Sequence, residues 1–153
     1  MTHAASGAPD EWGERANATL AAAGYRRGGA RHRLIGLLAA QRCALSAPEL
    51  HEALAGEQRT VSRASVYRIL EELERAQLVA RIEVGRGIVR FEPVRHGAGH
   101  HHHLVCDRCG RLIPFADEAL ERELLRVSER VSLAVAEHEV ILRGACPTCL
   151  EPV

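Results

Sequence analysis

The sequence predicts an α+β protein built from two small domains. Its 153 residues are too few for a large enzyme core with accessory domains. Apolar residues recur at helical spacing through the first half of the chain, and two runs that alternate apolar and charged residues follow around a Gly-rich turn. Beyond residue 100, short strand-like runs surround a single helix-like stretch. We therefore expect helices and a hairpin in the first domain and a smaller α+β unit in the second.

The composition is that of a globular chain with an uneven charge distribution. Apolar residues make up 46% and charged residues 26% of the sequence. The N-terminal residues have neither the basic start nor the apolar stretch of a signal peptide, so we expect a cytoplasmic protein with no membrane partner. Residues 1–95 contain 14 Arg and 11 acidic residues. This basic excess suits phosphate or guanine contacts, but a GC-rich genome explains the use of Arg equally well.

We place the first domain at residues 14–92. Residues 1–13 are mostly small and polar, which predicts a disordered tail. A short helix is expected over residues 14–23, and a second helix begins near Arg31, where apolar residues recur three and four positions apart.

Two capping patterns locate the next helices. Ser46, with Glu49 three residues later, forms a capping box, and Ser62 can cap a further helix. That last helix has one polar side and one apolar side, which predicts that only one side packs. The apolar side consists of Val66, Ile69, Leu70 and Leu73.

The run VARIEV-GRG-IVRFE predicts a two-stranded hairpin after these helices. Three helices followed by a hairpin is the order of a winged helix-turn-helix DNA-binding domain, whose third helix typically enters the major groove. Pro, Gly and small residues at 93–99 predict a hinge. The second domain then spans residues 100–153, with strands at HLVC, RLIPF and EVILRG. Its helix, over 117–131, is expected to face inward with Leu120, Leu124 and Val127.

Four cysteines in two CxxC pairs predict a structural zinc site. The pairs are Cys106 with Cys109 and Cys146 with Cys149, and this spacing lets the thiolates of each pair converge on one tetrahedral ion. Four thiolates leave no open coordination position. Redox-active CxxC pairs and buried free thiols are the alternatives. Cys43 stands alone, and we expect it to be an ordinary small apolar residue.

The run HHHH at 100–103 predicts further metal ligands. Successive side chains of a strand point to opposite faces, so His101 and His103 face one way and His100 and His102 the other. One strand can therefore contribute to two metal sites. An expression tag and a solvated tract without function are the alternatives.

Three segments, in this order and spacing, resemble the ferric uptake regulator family of dimeric metalloregulators. They are ASVYRILEELERAQLV, FEPVRHGAGHHHHLVCDRCG and HEVILRGACPTC, and the resemblance spans residues 18–149. It implies that the winged helix binds double-stranded operator DNA and that the second domain is a dimerisation domain of a homodimer. It also implies that bound metal sets the relative orientation of the domains, and it assigns the structural zinc to the four cysteines.

The resemblance implies a regulatory metal site at the hinge. His101 and His103 match two of the family's ligands, and Glu92 matches a glutamate after the hairpin Phe. A further family histidine falls at Ala44, so that ligand is missing here. Zinc-sensing relatives place a cysteine where this chain has His96, whose imidazole is a competent replacement.

A second regulatory site is implied at four positions that all have ligand-type side chains: His100, His102, Glu121 and His138. Glu121 and His138, each taken alone, are typical surface residues. We prefer zinc over iron for the regulatory sites, which favours the zinc uptake regulator branch, although nitrogen and oxygen ligands also suit ferrous iron, nickel or manganese.

The third helix of the winged helix is predicted to contact DNA. Tyr67 and Arg68 are expected to reach base edges, because Tyr can contact a thymine methyl and Arg can bind guanine. The alternative is that Tyr67 packs in the core. By resemblance, Arg26 or Arg27 reaches into the minor groove. The predicted phosphate contacts are Ser65 and Arg63.

These observations predict a metal-dependent transcriptional repressor, not an enzyme, that uses zinc or iron as corepressor to control metal-homeostasis genes. An iron-, nickel- or peroxide-sensing member of the same family is the alternative, and peroxide sensing favours a carboxylate within the tract that this chain lacks. A zinc hydrolase needs a general base beside a substrate pocket, and the chain has no HExxH. A metal-storage protein leaves the winged helix unexplained.

Overall fold

In the computed structural model the chain divides into two units, with the boundary between Ala98 and Gly99. The structure describes residues 9–41, 43–55, 61–95, 101–136 and 138–150. The first unit contains α1 (Pro9–Ala22), α2 (Gly29–Ala40), β1 (Leu45–Ser46), α3 (Ala47–Ala55), α4 (Arg63–Arg75), β2 (Val79–Gly85) and β3 (Ile88–Pro93). The second contains β4 (His102–Cys106), β5 (Leu112–Phe115), α5 (Glu118–Arg130), β6 (Ile141–Gly144) and a 3-10 helix (Pro147–Cys149). The predicted α+β class and the winged-helix order of the first unit are confirmed.

Local capping interactions begin α3 and α4, the two helices of the helix-turn-helix. The backbone N–H of Ser46 donates to the Glu49 carboxylate at 2.7 Å, and the N–H of Glu49 donates to the Ser46 hydroxyl at 3.4 Å. At α4, the Ser62 hydroxyl accepts from the N–H of Ser65 at 3.2 Å. Each cap satisfies an N–H group that has no partner within its helix. Both predicted caps are confirmed.

The core of the first unit is a single apolar cluster to which α1, α2, α3, α4 and the hairpin all contribute. Helix α4 contributes the four residues predicted to form its apolar side, and each is no more than 2% exposed: Val66, Ile69, Leu70 and Leu73. Burying a side chain of this size contributes about 1.5–3 kcal/mol, so α4 is fixed on one side while its polar side stays accessible.

The wing is the antiparallel pair β2–β3, and β1 lies on the other side of β3. Three successive residues at its tip have positive φ: Gly85 (90°), Arg86 (54°) and Gly87 (71°). Glycine adopts these angles without a steric penalty, which explains the Gly-X-Gly turn. Strand β1 was not predicted, because a strand of two residues has no alternation that a sequence can display.

The predicted disordered tail over residues 1–13 is wrong at its C-terminal end. Helix α1 begins at Pro9, and Trp12 is 2% exposed in the core of the first unit. The indole N–H of Trp12 donates to the carbonyl of Leu78 at 3.1 Å. This partner is 66 residues away, so no neighbouring residue reveals that the segment packs. Residues 1–8 lie outside the described residues.

The predicted hinge over residues 93–99 begins too early. Pro93 belongs to β3, and the N–H of Val94 donates to the carbonyl of Leu78 at 2.9 Å. The guanidinium of Arg95 donates to the carbonyl of Ala39 at 2.7 Å. These hydrogen bonds make residues 93–95 part of the first unit. The remainder of the predicted hinge lies outside the described residues.

The sheet of the second unit has the order β5-β4-β6, with β4 antiparallel to β5 and parallel to β6. Helix α5 is capped by Asp117, whose carboxylate accepts from the N–H groups of Ala119 and Leu120 at 2.8 and 2.9 Å. The prediction that Val127 faces inward is wrong, because its side chain is 43% exposed. Leu120 and Leu124 are half-buried. Within the described chain, no residue of α5 is fully buried, and the apolar side of this helix stays partly uncovered.

None of the described helices has the length and apolar character required to cross a bilayer. The longest, α1, has 14 residues, whereas a span needs about 20.

Candidate metal centres and nucleic-acid interface

The parallel pairing of β4 and β6 brings the two CxxC pairs together. Cys106 ends β4 opposite Gly144, the last residue of β6. A turn closed by the N–H of Gly110, which donates to the Cys106 carbonyl at 2.8 Å, follows β4, and Gly110 has a φ of 72° that favours glycine. The second pair flanks the 3-10 helix. All four sulfur atoms lie within 4.8 Å of one another.

The spacing of these sulfur atoms fits zinc. A tetrahedral ion with Zn–S bonds of about 2.3 Å separates its sulfur ligands by about 3.8 Å. The Sγ atoms of Cys109 and Cys146 are 3.8 Å apart. The four predicted cysteines are therefore brought close enough together to share one ion.

Hydrogen bonds shift the pKa values of the thiols in this set in opposite directions. The N–H of Cys146 donates to the Cys106 sulfur at 3.3 Å, and this bond, with those from the N–H groups of Cys109 and Arg108, lowers the pKa of Cys106 to about 6. Hydrogen bonds to Cys146 and Cys109 raise the pKa of Cys149 to about 12. Four neighbouring thiolates repel one another, so full ionisation of the set requires a cation.

A second set of ligand-type side chains includes His102, the first residue of β4, at the opposite end of this strand from Cys106. The Nε2 atom of His102, which is 1% exposed, lies 2.6 Å from one carboxylate oxygen of Glu121. The Nε2 atom of His138 lies 3.0 Å from the other oxygen. Glu121 is in the first turn of α5, where its N–H donates to the carbonyl of Asp117 at 3.1 Å. Two imidazoles and a carboxylate are ligands that zinc and ferrous iron accept.

The strand alternation predicted for the histidine tract is confirmed for its described members. The rings of His101 and His103 lie together, with centroids 5.0 Å apart, whereas His102 contacts Glu121 and His138. His103 is 4% exposed. His100 and His96 lie outside the described residues.

Glu92, the remaining predicted ligand, is half-buried on β3 of the first unit. Ala44, where the family resemblance predicts a histidine ligand, is buried and offers no ligand atom. Among the described residues, Cys43 belongs to no group of three ligand-type side chains. Burial and the nearby carboxylate of Glu92 raise the pKa of the Cys43 thiol, which disfavours the thiolate that binds metal.

The residues of α4 that are predicted to contact DNA lie on its polar side. Tyr67 is 49% exposed, and Arg63 and Arg68 are exposed. Tyr67 is therefore not a core residue. Ser65 is half-buried, and its hydroxyl lies 2.9 Å from the Ser62 hydroxyl. Part of its hydrogen-bonding capacity is thus used in the helix cap.

The segment between α1 and α2 exposes Arg26 and Arg27, the predicted minor-groove contacts. No sequence pattern singles out the neighbouring Arg31, which pairs with Glu72 on α4. These residues are 41 positions apart, and no local pattern connects them.

Fold and sites together define a winged-helix protein whose second unit is built around metal ligands. Residues 22–143 match the sequence model of the ferric uptake regulator family, and the chain belongs to this family. The ferric uptake regulation protein of Legionella pneumophila is 38% identical over 105 residues, which cover 69% of this chain and 76% of that protein.

Two solved structures of the family are similar over nearly their whole length. The Helicobacter pylori ferric uptake regulator, which has three functional metal binding sites, is 26% identical with a TM-score of 0.83 over 94% of this chain and 95% of that one. The Vibrio cholerae regulator is 30% identical with a TM-score of 0.77 over 85% and 98%.

Proposed function

We propose that this protein is a metal-dependent DNA-binding transcriptional repressor that uses bound zinc or iron as corepressor to control metal-homeostasis genes. The observation that carries the proposal is the combination, in one chain, of a winged helix exposing Tyr67 and Arg68 with a second unit that buries metal ligands. Its relatives are ferric uptake regulation proteins. The protein acts in the cytoplasm, and its ions control DNA binding instead of catalysing a reaction.

Operator DNA is bound by α4 and by the segment before α2. Tyr67 and Arg68 contact base edges in the major groove, and Arg26 or Arg27 contacts the minor groove. Exposure of all four side chains supports this assignment. Phosphate contacts come from Arg63 and Ser65.

The four thiolates hold a structural zinc, because a closed tetrahedral shell leaves no position for exchange. The regulatory ion at the hinge has as ligands Glu92, His96, His101 and His103. This set is proposed from the sequence and from the family resemblance, and the shared orientation of His101 and His103 supports two of its members. Because Glu92 precedes the hinge and the tract histidines follow it, ligation by all of them restrains the connection between the units.

A second regulatory site has as ligands His100, His102, Glu121 and His138. The distances of 2.6 and 3.0 Å from the Glu121 carboxylate to His102 and His138 support it. The presence of three functional metal binding sites in the Helicobacter pylori regulator supports a total of three here.

The protein acts as a homodimer through its second unit. Helix α5 has no buried residue in the described chain, and apolar side chains on and after it are exposed, including Leu125 (63%), Val131 (62%) and Leu133 (62%). An apolar surface of this kind is typical of an interface. A symmetric dimer also presents two winged helices to the two halves of an operator.

We prefer zinc as the regulatory metal, because a tetrahedral set of nitrogen and oxygen ligands suits it. An iron-, nickel- or peroxide-sensing role is the alternative within the family. Metal analysis of untagged protein, followed by titration of each metal against DNA affinity, distinguishes these roles.

The test of the function is operator binding with and without regulatory metal. A duplex is selected from a random pool by zinc-loaded protein, and its affinity is measured by fluorescence anisotropy before and after a mild chelator. We expect metal to tighten binding roughly 5- to 150-fold, the range of typical allosteric coupling. Equal affinity in both states would contradict the proposal, and metal binding without DNA binding would favour a storage protein.

A further inference from the structure

Arg31, near the start of α2, contacts three partners within the first unit. Its guanidinium lies 2.5 Å from the carboxylate of Glu72 on α4. It also donates to the backbone carbonyl of Arg26 and lies over the ring of Tyr25, 5.5 Å from the ring centroid. The side chains of Arg31 and Glu72 are only 12% and 11% exposed. One largely buried side chain therefore connects α4 with the segment that precedes α2.

That segment, residues 24–28, is held at its start by Tyr25, whose N–H donates to the carbonyl of Leu20 at 3.0 Å and whose side chain packs against the core. Gly24 begins it with a φ of 83°, and Gly28 ends it as an N-cap of α2 with no side-chain hydrogen bond. Glycine at both ends gives the segment more conformational freedom than other residues would. The bond from Arg31 fixes the main chain at Arg26 and leaves the exposed side chains of Arg26 and Arg27 available.

The other end of the connection lies on the helix that carries the proposed base contacts. Glu72 follows Arg68 by four residues, which is about one helical turn. Glu72 is 8% exposed, whereas Arg68 is exposed. Arginine suits this position because its planar guanidinium has five donors and can bond a carboxylate and a carbonyl together, whereas the lysine ammonium is a compact point charge.

We propose that Arg31 is a positioning residue for operator recognition. It holds Arg26 and Arg27 at a fixed place relative to α4, so that the segment and the helix contact the same duplex. Arg31 itself does not contact DNA, because its guanidinium is occupied by Glu72 and by the Arg26 carbonyl. The proposal rests on the proposed function, since it presupposes operator binding.

The test is a double-mutant cycle on the full-length, zinc-loaded protein and its selected duplex. Arg26→Ala with Arg27→Ala is introduced into the native chain and into an Arg31→Gln/Glu72→Gln background, which leaves no unpaired buried charge. In the native chain, we expect this alanine pair to weaken binding roughly 5- to 150-fold. In the glutamine background, we expect a further loss of less than about threefold, because the segment no longer contributes.

A matched control is Arg75→Gln with Glu71→Gln, which removes an exposed ion pair from the same helix. In that background the alanine pair should retain its full effect. Arg31→Lys guards against a failure of the glutamine variant to fold, because it keeps a positive charge opposite Glu72. Arg31→Lys should weaken operator binding as much as the alanine pair does. It should also lower the salt dependence of binding by a similar amount, which loss of a merely structural role would not do.

Two results would overturn the proposal: an equal effect of the alanine pair in the native and glutamine backgrounds, or no effect of this pair in the native chain. Failure of the native, zinc-loaded protein to bind any duplex would instead overturn the proposed function. The two failures are therefore distinguishable in one set of measurements.

Discussion

The two units of the molecule bury different kinds of side chains. The core of the first unit is apolar, from Trp12 on α1 to Phe91 on β3. In the described part of the second unit, the buried side chains are His102, His103, Val105, Cys106, Leu112 and Cys146. Four of these six are metal ligand types. A unit too small for a sizeable apolar core can thus be stabilised by ions, and removing metal should affect the two units differently.

The largest expected effect comes from Cys109→Ser. Structural zinc sites have apparent binding free energies of about 10–16 kcal/mol in small domains, so loss of one ligand should unfold the second unit or dissociate the proposed dimer. Zinc content and sedimentation velocity measure both effects. Helical signal from the first unit should remain.

Cys43→Ser is the matched control, because Cys43 belongs to no ligand group among the described residues. It should retain zinc and the dimer. A folded dimer of the Cys109 variant with no zinc bound would contradict the structural role of the thiolate site.

A substitution in the apolar core should instead destabilise the first unit and leave zinc binding by the second unit unchanged. Leu38 is fully buried in α2, and Leu38→Ala should destabilise the first unit by about 2–5 kcal/mol while zinc content stays unchanged. Urea unfolding monitored by circular dichroism measures the loss. Leu37→Ala, at a half-buried position of the same helix, should cost less. Release of zinc by the Leu38 variant would show that the units do not fold separately.

A smaller effect, on DNA binding alone, is expected at the side of α4 that we propose to contact DNA. Arg68→Ala should weaken operator binding by roughly 1–3 kcal/mol and binding to random DNA by much less, because a base contact is specific. Arg75→Ala is the control, since this side chain is 70% exposed in the last turn of the same helix. Equal losses on operator and random DNA would make Arg68 a phosphate contact.

Features set by neighbouring residues were predictable from the sequence. The caps of α3 and α4 depend on side chains three residues apart, and the CxxC spacing determines which thiols can share an ion. Strand alternation likewise separated His102 from His101 and His103.

Features set by distant partners were not predictable. Trp12 packs because of a carbonyl 66 residues later, and Val94 joins the first unit through a hydrogen bond to Leu78. The pairing of Arg31 with Glu72 is of the same kind. The exposure of Val127 is of a different kind, because the periodicity of an amphipathic helix does not say whether its apolar side packs on its own core or, as in the proposed homodimer, on a partner chain.

The most direct test of the central claim, that histidine-bound metal switches DNA binding while thiolate-bound zinc maintains the fold, is a zinc titration of operator affinity in His101→Ala and His103→Ala. Both variants should keep the thiolate zinc and the dimer, and both should lose the metal dependence of operator binding. His32→Ala, which changes an exposed histidine on α2, controls for a general effect of histidine loss. If both tract variants still bound operator only with metal, the switch would lie at the proposed site of His100, His102, Glu121 and His138, and the regulatory role of His101 and His103 would be wrong.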